Sequence, residues 1–110
     1  MRTHQVLDQR SLELHRLIAA KLQQEPVLFV AVRENLAHWS ATVSAGTQPY
    51  IAEWRNLADQ GMAACLAVAT QESEHAAALR QASPFAGILT HKERFAFFKA
   101  WSARRSHDPH

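Results

Sequence analysis

The sequence is short of the residues that break or staple a chain. Of 110 residues only three are glycine, four proline and one cysteine. So few breakers leave long stretches free to run as helix, and the abundance of Ala, Leu, Gln, Glu and Arg favours helix over strand. The lone cysteine, Cys65, excludes an internal disulfide framework and suits a reducing cytoplasm. No apolar run approaches the ~18–20 residues that a membrane-spanning helix needs. MRTHQVLDQRSLELHR, at the start, has no apolar stretch of signal-peptide length. A cytoplasmic location without membrane contact follows by elimination. Three glycines furnish no phosphate-cradling loop, dinucleotide fingerprint or nucleophile elbow, which removes several enzyme classes at once.

What is present fits one folded unit, since chains of ~50–250 residues form single domains. Hydrophobic residues make up 47% and charged ones 20%, enough apolar material for a core and too little charge for a disordered chain. The net charge of +2 is unevenly spread. Residues 1–40 carry five basic and four acidic groups, residues 41–90 two and four, and residues 91–110 five and two. The last fifth is the only basic part.

Hydrophobic spacing predicts a first helix ending near Gln24, with Leu7, Leu14, Ile18 and Leu22 on one face and Leu17 widening it. Its start falls within residues 4–11, capped by Thr3 or Ser11. Glu25-Pro26 stops it, because a residue before proline is pushed out of the α region. Pro26 then opens a second helix with a stripe of Leu28, Val32, Leu36, Trp39 and Val43. VLFVAV at Val27–Val32 would suit a strand, but RENLAHW continues the helical period without a turn. Phe29 and Val30 then need cover from more than one neighbour. Ser44–Pro49 is a loop, and a third helix from Pro49 presents Tyr50, Ile51, Trp54, Leu57 and Ala58. After Asp59-Gln-Gly61, Met62–Ala82 fits one long helix or two breaking near Thr70, where Thr70 and Ser73 offer caps.

The segment Ser83–Trp101, SPFAGILTHKERFAFFKAW, is the focus of the chain. Thr90-His-Lys-Glu93 matches a capping box, in which the Thr90 hydroxyl accepts the Glu93 N–H and the Glu93 carboxylate accepts the Thr90 N–H. On the helix so opened, Phe95, Phe98 and Trp101 recur every three residues with Phe97 beside them. Arg94 falls in the same apolar sector, either snorkelling over the rings or clamping the Ser83–Thr90 loop. Lys92, Lys99 and Arg104 are expected opposite the rings, with Arg105 beyond. The fold class expected is all-α: a single-domain bundle of five to six helices over residues 1–101, with a polar, frayed tail at 102–110.

Two binding hypotheses compete, and no catalytic or cofactor site assembles beside them. The aromatic face of Phe97, Phe98 and Trp101, with Arg94, suits another protein or self-association, because such side chains are enriched at interface centres. The alternative is nucleic acid held by Lys92, Lys99, Arg104 and Arg105. Metal is disfavoured. Glu72-Ser-Glu-His75 supplies the di-iron spacing only once, Glu34 and His38 point away from the apolar stripe, and His107 and His110 fall in the tail. Cys65, within MAACLAVA, reads as a small buried hydrophobe. A helix-turn-helix around Gly61 fails because MAACLAVA offers no polar side chains to a base edge.

Ser83-Pro-Phe-Ala-Gly-Ile-Leu-Thr-His-Lys-Glu-Arg94, preceded by Leu14-His-Arg-Leu-Ile18 and by Arg33-Glu-Asn-Leu-Ala-His-Trp39, resembles a group of small all-helical bacterial proteins. That group shares an LHR-type start and a closing SPFAGxLTxxER segment. Its members are often encoded beside toxin-like partners such as nucleotidyltransferases. The resemblance implies a non-enzymatic role as an antitoxin or accessory partner of a toxin-like enzyme, and carries over no functional residues.

Overall fold

The computed structural model describes the backbone of residues 2–106 and the side chains of residues 5–104. Six α-helices and one 3-10 turn make up the fold, with no strand among the described residues. The helices are α1 (Arg2–Gln24), α2 (Phe29–Trp39), α3 (Gln48–Gln60), α4 (Met62–Ala69), α5 (Glu74–Gln81) and α6 (His91–Ser106).

Helix α1 is longer than expected at its start, and Ser11 lies inside it rather than at a cap. Its buried face is Leu12, His15, Ile18, Ala19 and Leu22, whereas Leu7 is 45% exposed. The expected face holds at Ile18 and Leu22, with Leu14 packed at the edge of the core, and fails at Leu7 and Leu17: the buried stripe follows i, i+3, i+7 and i+10 from Leu12 and includes a histidine. Glu25, at φ −132° and ψ 71°, ends the helix before Pro26. Pro26–Leu28 then form the 3-10 turn that leads into α2. VLFVAV is helical rather than extended, with Phe29 buried and Val30 left on the surface.

Pro49 sits in the first turn of α3. Thr47 occupies the cap position, but its side chain meets Ser44 Oγ at 3.2 Å and makes no capping bond. The Gln48 amide instead donates to the Ser40 and Val43 carbonyls, tying down the preceding turn. Gly61, at φ 126°, makes the corner into α4 in a conformation that a side chain would strain. Met62–Ala82 forms two helices. Thr70 ends α4, and Ser73 Oγ accepts the Ala76 N–H at 3.1 Å to cap α5.

The core gathers Leu22, Val32, Leu36, Ile51, Trp54, Cys65, Leu66 and Leu79 with Phe85, Ile88 and Leu89. Trp54 is fully buried and its indole N–H donates to the Leu79 carbonyl at 2.9 Å, so burial leaves no donor unmet. Among the described residues, none from α6 belongs to this core. The Ser83–Trp101 segment is thus split: its loop half is embedded, and its helical half lies on the outside.

Candidate functional site

Helix α6 lies antiparallel on α1. Glu93, early in α6, pairs with Lys21 at 2.6 Å, while Arg104, late in α6, pairs with Glu13 at 2.8 Å. The capping box forms as the spacing predicts. Glu93 accepts the Thr90 N–H at 2.7 Å, and Thr90 Oγ1 accepts the Glu93 N–H at 3.1 Å. The Lys21 ammonium, then the Thr90 N–H, hold the Glu93 carboxyl below the usual carboxylate range. Hydrogen bonds from Gln9 and Arg104 do the same for Glu13.

Phe97, Phe98 and Trp101 are half-buried and form one ring cluster. Phe97 meets Phe98 edge-on at 5.2 Å and stacks near Trp101 at 6.5 Å. Cations cover its flanks. Arg10 and Arg94 lie over the Phe98 ring at 5.2 and 5.4 Å, and Arg104 lies over Trp101 at 4.9 Å. Phe95 is apart from the cluster and 68% exposed. Leu17, 40% exposed on α1, lines with Phe97, Ala96 and Leu89 a groove of about 490 Å³ between the two helices.

Arg104 was expected opposite the rings and instead folds onto them. The spacing of three from Trp101 lets the guanidinium reach the indole face while it bonds Glu13. Lys92 and Lys99 are exposed, and the Arg105 side chain and His107–His110 lie outside the described residues. Arg94 takes the first of its two expected roles, its guanidinium over Phe98 rather than on the loop carbonyls. The loop clamp is Asn35, which donates to the Pro84 carbonyl at 3.0 Å and the Ala86 carbonyl at 2.9 Å.

A second group of polar side chains converges behind α6, and sequence reasoning did not anticipate it. His15 is 4% exposed and sits edge-on to Phe85, which in turn meets Trp54 edge-on. His15 Nδ1 is 2.7 Å from the Ser11 carbonyl and Nε2 is 2.8 Å from Ser83 Oγ. A carbonyl only accepts, so Nδ1 carries the proton and Nε2 accepts from the Ser83 hydroxyl. Burial, opposed by the Ser11 bond and reinforced by Arg80, holds His15 below the ordinary imidazole pKa. Ser83 Oγ also accepts the Phe85 N–H at 3.4 Å, so the pair fixes the turn as well as the ring. Arg80 is 6% exposed and donates from Nη1 to the Ala69 and Gln71 carbonyls at 3.2 and 2.8 Å, closing the end of α4. The available signal was His15 in register with Leu12 and Leu22, a polar side chain on a buried stripe.

The sequence spacing Glu72-x-x-His75 is taken apart by the fold. Glu72 pairs with Arg16 at 2.9 Å, and His75 pairs with Glu53 at 2.7 Å. Among the described residues, no three His, Cys, Asp or Glu side chains gather where they could hold a metal ion. Cys65 is buried in the core, and its thiol is pushed up to about 11 by that burial. No helix is long and apolar enough to cross a membrane among the described residues. No protein family, curated protein or solved structure matches this chain.

Proposed function

We propose that this chain is a non-enzymatic, cytoplasmic protein-interaction module that grips its partner with the half-covered Phe97, Phe98 and Trp101 side of α6, along its seam with α1. The observation that carries this reading is a helix bearing Phe97, Phe98 and Trp101 that gives no described residue to the core. Such rings are costly to leave in water, at ~1.5–3 kcal/mol for each large apolar side chain fully buried against one exposed. The half-covered cluster, with Leu17 and the groove beside it, supplies the aromatic centre typical of an interface. Arg94 and the Ser83–Thr90 loop shape the edge of that surface. The resemblance of SPFAGILTHKER to small bacterial helical proteins makes a toxin-like enzyme the partner to test, with this chain as its antitoxin or accessory subunit.

The test is co-purification with the product of the adjacent gene, followed by Trp101→Ala and Phe97→Ala. An aromatic interface holds as salt rises and fails in both variants. If an oligonucleotide binds instead, with an affinity that collapses with salt and follows Lys92, Lys99, Arg104 and Arg105, the surface serves nucleic acid. If the two products never associate, the antitoxin role is withdrawn.

A further inference from the structure

A groove of about 290 Å³ opens between α1, the end of α5, the Ser83–Thr90 segment and the first half of α6. Its polar lining is cationic. Arg10, Arg80 and Arg94 reach it together with His15 and Ser83, and no carboxylate lines it among the described residues. Its walls are apolar, including Phe85 and Phe98. Buried guanidinium groups ordinarily meet a carboxylate, because an unpaired charge in a low-dielectric setting is costly. Here that partner is missing. Arg80 is 94% buried and gives its Nη1 to the Ala69 and Gln71 carbonyls, yet its Nε meets no hydrogen-bond acceptor among the described residues. The acids that act on Arg80, Asp8 and Glu72, are not part of the lining, and Glu72 is taken by Arg16. His15, held neutral by burial, neither adds to nor offsets the charge at neutral pH.

A cleft of one sign with apolar walls focuses its field and concentrates the opposite charge. Guanidinium forks match the oxygens of phosphate and carboxylate, and three of them balance a dianion better than a monoanion. Arg10 and Arg94 flank the Phe98 ring at 5.2 and 5.4 Å, so a charged head at their level leaves the ligand's body against the apolar wall. The volume lies just below the ~300–1,000 Å³ range of drug-sized ligand pockets, which suits a small ligand. We propose that this groove binds a small phosphate monoester with an apolar or ring-bearing body. The groove shares Arg94 and Phe98 with the interaction surface, but it needs no partner protein, so ligand binding by this chain alone tests it separately.

Phenyl phosphate is the probe, titrated into the full-length isotope-labelled protein at fixed ionic strength and followed by NMR. Inorganic phosphate, benzoate and a short oligonucleotide without terminal phosphates form the other arms. The expected result is saturable shifts at Ser83, Arg94 and Phe98 with phenyl phosphate, about tenfold tighter than with benzoate or inorganic phosphate. Arg10→Gln and Arg94→Gln should each weaken it about tenfold or more. Neither arginine is buried in the core, so the same spectra show that both variants stay folded. Lys92→Gln and Lys99→Gln should leave the affinity unchanged. The proposal is overturned by an absence of saturable shifts. Lysine variants that weaken binding as much as the arginine variants also overturn it, since the attraction is then general charge. Tighter binding of the oligonucleotide overturns it too, since the cations then serve a polymer.

Discussion

His15 and Ser83 stand 68 positions apart in the chain and 2.8 Å apart in the fold. Their bond joins the middle of α1 to the turn that carries Phe85 into the core, and with the imidazole neutral its Nε2 accepts from the Ser83 hydroxyl. Burial favours that form by lowering the His15 pKa. As pH falls past the ordinary imidazole value of ~6.5, the unfolded chain takes up a proton before the folded one does. Stability is therefore full above about pH 6.5 and falls below it until folded His15 also titrates. Urea unfolding at about pH 7.5 and 5.5 should show a loss that His15→Gln largely removes, although the variant starts less stable. Glu13 and Glu93 also have lowered pKa values, but from a carboxylate reference of 4.5, so their loss belongs to more acid solutions. An equal slope in protein and variant would show that His15 carries no pH dependence.

Asn35 is the second anchor of the same turn. One amide nitrogen serves both the Pro84 and Ala86 carbonyls, so Asn35→Ala strands two acceptors while removing little apolar area. Leaving a buried polar group unmet costs ~1–3 kcal/mol, and the partly open Ala86 carbonyl places this site in the lower half of that range. The expected outcome is a lower urea midpoint with an unchanged slope, and faster amide exchange at Phe85–Ile88. Exchange that rises everywhere equally would show that Asn35 supports the whole core rather than the turn.

The helical class was legible because breakers are rare and the stripes are long. The break at Gly61, the stop at Glu25-Pro26 and the capping box at Thr90 each follow from local chemistry. The edge of the α1 face was misjudged because Leu7 and Leu17 compete with a buried His15, and periodicity counts only apolar residues. The α6 rings show the same difficulty. At ~100° per residue Phe95 falls ~120° from Trp101, so a spacing of three drifts off the face it begins on, while Phe97 and Phe98 flank Trp101 more closely. The structure leaves Phe95 68% exposed. The groove around His15, Arg80 and Ser83 was out of reach, because it depends on pairings between segments far apart in the chain.

Thr90→Ala tests how loosely α6 is held. Loss of an N-cap hydroxyl costs a helix ~1 kcal/mol. Because α6 supplies no described core residue, that cost should appear as local fraying rather than global unfolding. Amide exchange should rise at His91–Phe95, while protection persists at Trp54, Leu66 and Leu79. A fall in the global unfolding midpoint by the full amount would tie α6 to the core after all.

Cys65 offers a probe of the core that perturbs nothing. Its thiol is buried and raised to about 11, so the reactive thiolate is scarce at neutral pH. A water-soluble disulfide reagent at about pH 7.5 should leave the native protein unlabelled and modify one thiol per chain in urea. Rapid labelling of the native protein would mean that α4 opens readily.

A chain ending at Thr90 separates the folding role of α6 from its binding role. Such a chain keeps Phe85, Ile88 and Leu89, the last contributors to the core, together with the Asn35 clamp and the His15–Ser83 bond. It loses the Lys21–Glu93 and Glu13–Arg104 pairs, whose side chains are partly exposed and screened by solvent, so they hold the fold only weakly. It also uncovers the part of α1 that Phe97 and Phe98 shade. The ion pairs add little, and half-covered rings forfeit only part of the ~1.5–3 kcal/mol that full burial of each would bring, which leaves the core to carry a domain of ~5–15 kcal/mol. The truncated protein should still unfold cooperatively, with Trp54 fluorescence typical of a buried indole, and with the Ser83–Phe85 turn in place. Partner capture through Phe97, Phe98 and Trp101 should vanish at the same time. A truncated chain that is molten would make α6 part of the fold and leave less of its ring cluster for a partner. A folded one that still captures the partner would move the interface elsewhere on the bundle.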